Sequence, residues 1–201
     1  MQIIDRRREA RPSIATWPRP WSKVTGICLH QTACNMGERP ERYDTLNVHY
    51  VVTRAGKIIQ LHDLTTATAH GNGWNNQTVG IEIDGLYAGV EGDSSTVWDD
   101  PSTPSKETAQ ALTCETRESC KALIRHIVSA TAIYGGKLGV LVAHRQSSSS
   151  RRNDPGSAIW THIALPISAE LGLTDGGIGF KLDTGYPIPE SWDPRCKGIK
   201  Y

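Results

Sequence analysis

Two histidines and one aspartate in this 201-residue chain have the residue types of a metal centre. His144 follows an apolar run at residues 138–143, and a loop rich in serine and arginine separates it from Asp154. A second apolar run, at residues 24–29, ends at His30. Imidazole and carboxylate are both good zinc ligands, and a loop of this length allows them to converge. A buried strand followed by a solvated loop would give the same pattern around His144, and this segment alone leaves that alternative open.

The two apolar runs must position these side chains. Both have the length and the branched residues of buried strands. In open α/β sheets, ligands gather beyond the carboxyl ends of the strands. Two strands that each end in a histidine, with an aspartate on the following loop, therefore predict a site with three protein ligands. Three ligands leave a fourth position for water, which is typical of a catalytic zinc. Cys34 lies close enough to His30 in the chain to be an alternative ligand.

Four segments carry a resemblance to a known family. They are, in chain order, LHQTAC, HYVVTRAGKIIQL, TATAHGNGWNNQTVGIEIDG and AHRQSSSSRRNDPG. Their order and spacing resemble type 2 N-acetylmuramoyl-L-alanine amidases, a superfamily that includes peptidoglycan recognition proteins and phage lysins. The resemblance covers residues 21–173. It implies an α/β fold, with a central mixed β-sheet flanked by helices, and a zinc ion (Zn²⁺) held by His30, His144 and Asp154.

The resemblance also implies a reaction, the hydrolysis of the amide between N-acetylmuramic acid and L-alanine of the peptidoglycan stem peptide. Glu82 matches a glutamate in VGIE that assists the attacking water in some members. Other members use a tyrosine where this chain has Val48, which favours Glu82 as the group that transfers the proton. Members often have a lysine two residues before the last ligand, where this chain has Arg152. We interpret Arg152 as an oxyanion stabiliser, because its pKa is too high for it to act as an acid. A solvated loop cation is the alternative.

The loop before VGIE contains the candidates for substrate contact. His70 matches a histidine that lines the substrate groove in the family, and Trp74 and Asn76 follow it. A loop histidine is more often simply exposed, and that alternative stays open. We expect His49 to be a packed, hydrogen-bonded residue near the site rather than a ligand.

Periodicity and turn residues indicate the remaining elements. The sequence predicts a hairpin of strands at 47–54 and 57–61, a strand at 78–84, and helices at 105–134 and 157–171. A break of the first helix near Thr113 is an open alternative, and Pro166 either interrupts the second helix or sets its last turn. In the strand at 78–84, alternation places Gly80 and Glu82 on one face, where glycine would leave open space beside the carboxylate. Residues 86–105 are predicted to form a surface loop, in which Trp98 is a further candidate for substrate contact.

Length and composition fit one domain at residues 1–201, with a catalytic core at 21–173 and a Gly/Pro-rich C-terminal extension at 174–201. The net charge of +1 gives no overall field that would attract nucleic acid or an anionic membrane. No apolar run approaches the ~20 residues needed to span a bilayer. We expect a monomer that acts on peptidoglycan or a muropeptide, without nucleic-acid or membrane partners.

The compartment and the role follow from weaker signals. Residues 1–13 lack the apolar stretch of a secretory signal, and five cysteines without a regular framework favour synthesis in a reducing compartment. We therefore expect synthesis in the cytoplasm. The protein would then act on the cell wall as a released lysin, or recycle anhydro-muropeptides inside the cell. The alternative from another functional class is a non-catalytic peptidoglycan-binding module. Such proteins usually lose a zinc ligand, whereas all three ligand positions are filled here.

Overall fold

A six-stranded sheet forms the centre of the protein, whose computed structural model describes residues 1–97 and 108–201. The strands are β1 (Ile3–Asp5), β2 (Trp17–Pro18), β3 (Gly26–Gln31), β4 (Tyr50–Val52), β5 (Ile58–Gln60), β6 (Thr66–Ala67), β7 (Thr78–Ile83) and β8 (Val140–Ala143). The order across the sheet is β1-β5-β4-β7-β3-β8, and β2 pairs separately with β6. Parallel and antiparallel pairs both occur, which confirms the predicted mixed sheet.

Strand β3 lies between β7 and β8 and runs parallel to both. All of its residues are buried, and strands buried on both faces read as continuous apolar runs. The strand continues to Gln31, so His30 lies within it instead of just after it. In the register between β3 and β8, Leu29 is opposite Ala143. The next residues, His30 and His144, therefore emerge at the same edge of the sheet.

The predicted hairpin and the strand predicted at 78–84 are both present, although β4 and β5 are shorter than predicted. Strands β4 and β5 are antiparallel, and Gly56 has a φ of 76° in the turn between them. In β7, the alternate residues Val79, Ile81 and Ile83 all face the main hydrophobic core. Because side chains alternate along a strand, Glu82 belongs to the opposite face of the sheet, away from that core.

Helix α1 (Cys114–Ile133) packs its buried face against the main core. Its N-cap is Thr113, whose hydroxyl accepts a hydrogen bond from the Thr116 amide. The helix therefore starts later than the sequence predicts, because the chain has a strong cap at this position. It ends just before Gly135, which has a φ of 77°, as predicted. The predicted helical residues 105–107 and Trp98 lie outside the described part of the chain.

A second helical segment follows the polar loop, as predicted. It consists of α2 (Ser157–Ile159), a wider π-helical turn (Trp160–Ala164) and α3 (Leu165–Leu171). Pro166 is the second residue of α3, which follows directly after the π-helical turn, so it interrupts the regular helix instead of setting its last turn. Trp160 and Ile163 are buried in the main core.

The last residues, 174–201, cover the outside of the polar loop and add to the core. Thr174 forms a parallel bridge with Val140, and the Trp192 side chain is 1% exposed within the main core. Among the described residues, none of the helices is both long enough and apolar enough to cross a membrane.

Candidate active site

The three proposed ligand residues lie together at the carboxyl edge of β3 and β8. His30 is the fifth residue of β3, and His144 directly follows β8. The loop after His144 turns back through two short 3-10 helices, and the Arg145 amide donates to the Asp154 carbonyl at 3.0 Å. This contact closes the loop, so the two residues at its ends, His144 and Asp154, are held side by side.

The three side chains point at one another. The two Nδ1 atoms of His30 and His144 are 3.0 Å apart, and His144 Nδ1 is 3.0 Å from the Asp154 carboxylate. His30 Nδ1 is 3.8 Å from the same carboxylate oxygen. A tetrahedral zinc with ligands at about 2.0–2.2 Å would hold them about 3.3–3.6 Å apart. The observed distances lie around that range, so these atoms fit one shared divalent cation.

Asp154 is held as an anion by its surroundings. Its Oδ1 accepts from the Gln31 amide at 3.0 Å, while Oδ2 faces the two histidines. Burial alone would raise the pKa of Asp154, but the two imidazoles that face its carboxylate outweigh this effect and lower the pKa. A carboxylate that stays ionised in a buried site is suited to binding a cation.

His30 is oriented by His70. His70 Nε2 lies 3.2 Å from the Thr78 carbonyl, which can only accept, so this nitrogen carries the proton. Burial holds the pKa of His70 well below its usual value, so the ring is neutral and its Nδ1 accepts from His30 Nε2 at 3.0 Å. The lone pair of His30 Nδ1 is therefore directed at His144 and Asp154. This is the usual arrangement behind a metal-binding histidine, whose second ring nitrogen donates a hydrogen bond.

A second metal-capable group shares His30 with the first. Cys28, His30 and His70 have ligand atoms that lie within 4.8 Å of one another. Burial raises the pKa of the Cys28 thiol well above its usual value, whereas a metal ligand is the thiolate. The lone pair of His70 is already used by His30. The group of His30, His144 and Asp154 is therefore the better fit to a cation. The alternative ligand Cys34 is exposed and belongs to neither group.

Glu82 lies beside the proposed ligands. It is opposite His30 in the register between β3 and β7, and both residues line a cavity of about 280 Å³ that also contains His144 and Asp154. Burial raises the pKa of Glu82 to about 8, and the negative charge of Asp154 adds to this. A carboxylate with such a pKa can both accept and release a proton near neutral pH.

The structure corrects the proposed role of Arg152. Its guanidinium lies 4.7 Å from the ring centre of Tyr201 and 5.7 Å from that of Tyr186, and it donates to the Tyr201 carbonyl. The neighbouring Arg151 lines the cavity instead, and its charge partly opposes the rise in the pKa of Glu82. Arg152 is turned away because the aromatic residues of the C-terminal segment stack on it. The sequence contains two adjacent arginines in an irregular loop, and nothing in the pattern distinguishes them.

The predicted open space beside Glu82 is filled. A Cβ at Gly80 would lie 2.7 Å from His70 Nδ1 and 2.9 Å from a methyl carbon of Val48. Glycine is therefore needed here to admit the imidazole of His70. Among the three candidates for substrate contact, His70 does line the cavity, although it is 8% exposed and its described hydrogen bonds go to His30 and Thr78.

The other two candidates lie outside the cavity. Trp74 is buried in a small cluster with Cys28 and Val142, so it packs rather than contacts substrate. Asn76 is exposed, and its side-chain oxygen accepts from Trp17 Nε1 at 2.7 Å. Its position is explained by this bond, which ties the N-terminal arm to the loop. A polar loop pattern alone does not show which side chains turn towards a cavity.

His49 is the packed residue that the sequence predicts. Its side chain is 0% exposed, its Nδ1 accepts from the Gly80 amide at 3.0 Å, and its Nε2 is 2.7 Å from the Thr66 carbonyl. Val48 is also buried, at 1% exposure. Sequence reasoning did not identify Arg151 as a residue that lines the cavity.

The sequence matches a known family along most of its length. A family model described as N-acetylmuramoyl-L-alanine amidase matches residues 20–157, which is more than half of the chain. No curated protein matches the chain in a sequence comparison.

Several solved structures have a similar fold. The Ph2119 endolysin from the Thermus scotoductus MAT2119 bacteriophage Ph2119 is 17% identical with a TM-score of 0.58, covering 84% of this chain and 98% of that one. The amidase LysC from Clostridium intestinale URNW is 16% identical with a TM-score of 0.53, covering 86% and 99%. Peptidoglycan recognition protein LE, in complex with tracheal cytotoxin, is 18% identical with a TM-score of 0.54, covering 85% and 95%. These similarities confirm the predicted fold.

Proposed function

Because the chain belongs to the N-acetylmuramoyl-L-alanine amidase family, we propose that it is a zinc-dependent peptidoglycan hydrolase. It would cleave the amide between N-acetylmuramic acid and the L-alanine of the stem peptide. The observation that carries this proposal is the convergence of His30, His144 and Asp154 in the cavity that also contains Glu82. All three side chains are competent ligands, which favours an enzyme over a binding module.

The ligand atoms would be Nδ1 of His30, Nδ1 of His144 and the Oδ2 carboxylate oxygen of Asp154. When bound, zinc supplies Lewis acidity and a water of lowered pKa. The protein prepares the site by keeping its three ligands nearly water-free, with 3%, 6% and 9% exposure for His30, His144 and Asp154. The His70 ring keeps the His30 lone pair aimed at the same point.

Glu82 is the proposed proton carrier. In amide hydrolysis, the water oxygen adds to the carbonyl carbon, the C–N bond breaks, and the departing nitrogen gains a proton. Glu82 takes the proton from the attacking water and gives it to that nitrogen. It lies within the cavity next to His30, where buried surroundings already bring its pKa near neutrality.

Arg151 is the proposed partner for the negative charge that develops on the carbonyl oxygen. It is the arginine that lines the cavity, where its charge already acts on Glu82. A fixed positive charge facing the reacting carbonyl would stabilise the transition state more than the ground state.

The substrate would be peptidoglycan or a soluble muropeptide. Peptidoglycan recognition protein LE is described in complex with tracheal cytotoxin, a monomeric diaminopimelic acid-type peptidoglycan, and has the same fold. The similarity to the Ph2119 endolysin favours action on the intact wall. The other role is the recycling of anhydro-muropeptides.

A cleavage assay tests the proposal. Zinc-loaded protein is incubated with purified sacculi and, separately, with soluble anhydro-muropeptides, and the products are analysed by mass spectrometry. We expect free stem peptides that begin with alanine. The Glu82→Gln variant should lose about 10²–10⁴-fold in rate while it still binds zinc. Glu170→Gln, at the exposed partner of Arg125, is the matched control.

Three results would contradict parts of the proposal. Intact substrate that stays bound to the wild-type protein would identify a binding module. Products cleaved at another bond would exclude the amidase assignment. Unchanged turnover by Glu82→Gln would remove Glu82 from the mechanism.

A further inference from the structure

Two arginines of the loop that carries His144 and Asp154 point away from the cavity and into the C-terminal segment, residues 174–201. We infer that aromatic residues of this segment, above all Tyr201, position the metal-binding loop. The inference rests on the proposed function in one respect, that His144 and Asp154 are zinc ligands. The family match ends at residue 157, so these contacts come from outside the matched region.

Arg145 directly follows His144 and is 1% exposed. Its guanidinium carbon lies 4.7 Å from the Trp192 ring centre and 5.3 Å from that of Tyr201. Its Nε donates to the Pro187 carbonyl at 3.1 Å. A desolvated guanidinium beside aromatic faces is strongly attracted to them. The residue next to one ligand is therefore fixed by the last part of the chain.

Arg152 makes the same kind of contact two residues before Asp154. Its guanidinium carbon lies 4.7 Å from the Tyr201 ring centre, and it donates to the Tyr201 carbonyl. Tyr201 thus contacts the loop near both of its ends. A single ring that touches both arginines couples the position of His144 to that of Asp154.

Backbone hydrogen bonds join the same two regions. The Tyr186 amide donates to the Arg145 carbonyl at 2.8 Å, and the Leu182 amide donates to the Gln146 carbonyl at 2.7 Å. The approach at Gly185 is close, because a Cβ there would lie 2.2 Å from the Gln146 carbonyl oxygen. The first part of the loop, residues 145–147, is therefore covered by the C-terminal segment, whereas residues 149–151 are exposed.

These contacts hold the loop at residues 144–154, which is the irregular part of the site. Irregular loops open locally with small free energies unless other elements hold them, and metal ligands must stay close to their productive geometry. We expect the loop to open more often, and zinc to bind more weakly, when the Tyr201 ring is absent.

Tyr201→Ala tests the inference, because it removes the ring and keeps the carbonyl that accepts from Arg152. Zinc affinity is measured by competition with a chromophoric chelator, and amide hydrogen exchange of residues 144–154 is measured in the metal-free protein. We expect zinc affinity to fall about 10-fold and loop exchange to rise. Tyr201→Phe, which keeps the ring, should restore both. Tyr134→Ala is the matched control, since it removes an aromatic ring that stacks on Trp21, far from this loop.

Unchanged zinc affinity and unchanged loop exchange in Tyr201→Ala would overturn the inference. An equal loss of zinc affinity in Tyr134→Ala would also overturn it, because the effect would then be one of general stability. Should Tyr201→Ala fail to fold, Arg152→Met removes the stacked charge at similar side-chain length and gives the same readouts. Neither measurement uses muropeptide cleavage, so a protein that binds zinc but cleaves nothing would refute the proposed function and leave this test intact.

Discussion

Different structural elements hold the three proposed ligands together: a strand holds His30, and a loop holds His144 and Asp154. His30 lies in β3, which is hydrogen-bonded on both sides and buried throughout. His144 and Asp154 lie on an irregular loop whose backbone bonds go largely to itself and to residues 174–201. The strand ligand is positioned by the sheet. The loop ligands are positioned by contacts from residues 174–201 together with the bond from the Gln31 amide to Asp154.

The positions of the ligands in this one site are therefore fixed in two different ways. A central strand has neighbours that fix its backbone, so its ligand needs support only for the direction of its side chain, which His70 gives. A loop needs support for its backbone as well. The loop ligands should therefore depend on distant residues that have no role in chemistry.

The largest expected effect on zinc affinity comes from removing a ligand residue, either on the strand or on the loop. His30→Ala and Asp154→Ala should each weaken zinc binding by more than about 100-fold, measured by chelator competition. The two variants should differ in the amide hydrogen exchange of the metal-free protein. Asp154→Ala also removes the acceptor for the Gln31 amide, so exchange in residues 144–154 should rise, whereas His30→Ala should leave it unchanged.

Asp154→Asn is the control for that comparison, because its amide oxygen still accepts from Gln31 while the negative charge is lost. It should weaken zinc binding with little change in loop exchange. If His30→Ala loosens the loop as much as Asp154→Ala does, the distinction between strand and loop ligands is wrong.

The strand-borne part of the site could be predicted from sequence, and the loop-borne part only incompletely. Apolar runs that end near histidine predict β3 and β8, because buried parallel strands exclude polar residues. The family resemblance then indicates the three ligands, and the structure brings them together. Periodicity is missing in the loop, so the sequence could not show that Arg151 faces the cavity and Arg152 the C-terminal segment.

Long-range packing explains the other differences. Gly80 suggests open space when its own strand is considered, yet a ring from residue 70 fills that space. Trp74 and Asn76 are polar-loop neighbours of His70, but one packs with Cys28 and the other binds Trp17. Contacts between segments that are distant in sequence determine the positions of these side chains, and local sequence patterns do not predict such contacts.

The two carboxylates of the site should respond to pH with opposite sign. Glu82, on a strand, has its pKa raised from 4.5 to about 8, so its contribution to stability is present below pH 4.5 and lost as pH rises through 8. Asp154, on the loop, has its pKa lowered from 3.8, so its contribution is present above that value and lost as pH falls.

Urea unfolding of the metal-free protein measures this difference. Relative to wild type, Glu82→Gln should gain about 2 kcal/mol in free energy of unfolding between pH 4.5 and pH 8.5, which allows for solvent in the cavity. Asp154, which interacts with Glu82, has its pKa lowered from 3.8 and is therefore already ionised across this pH range, so its titration does not contribute to the difference. If the difference in free energy of unfolding between Glu82→Gln and wild type is the same at both pH values, Glu82 is not desolvated in the folded protein.

Gly80→Ala tests how far the strand ligand depends on His70. The new Cβ would lie 2.7 Å from His70 Nδ1, so the imidazole must move and release His30 Nε2. We expect zinc affinity to fall about 10-fold by chelator competition. Gly139→Ala is the matched control, because a Cβ there meets nothing within 4 Å. Unchanged affinity in Gly80→Ala would mean that the sheet alone orients His30.

The smallest expected effect concerns the other end of the chain. Asn76→Ala removes the acceptor of the Trp17 indole in the N-terminal arm, which also lies before the matched residues 20–157. We expect a loss of about 0.5–1 kcal/mol in free energy of unfolding, because this hydrogen bond is exposed. Zinc affinity and turnover should equal those of wild type, since the described hydrogen bond joins Asn76 to Trp17 and not to the ligand loop. An equal loss of zinc affinity in Asn76→Ala and Tyr201→Ala would mean that any contact made by residues outside 20–157 supports the site. In that case the special dependence of the loop ligands on the C-terminal segment would be refuted.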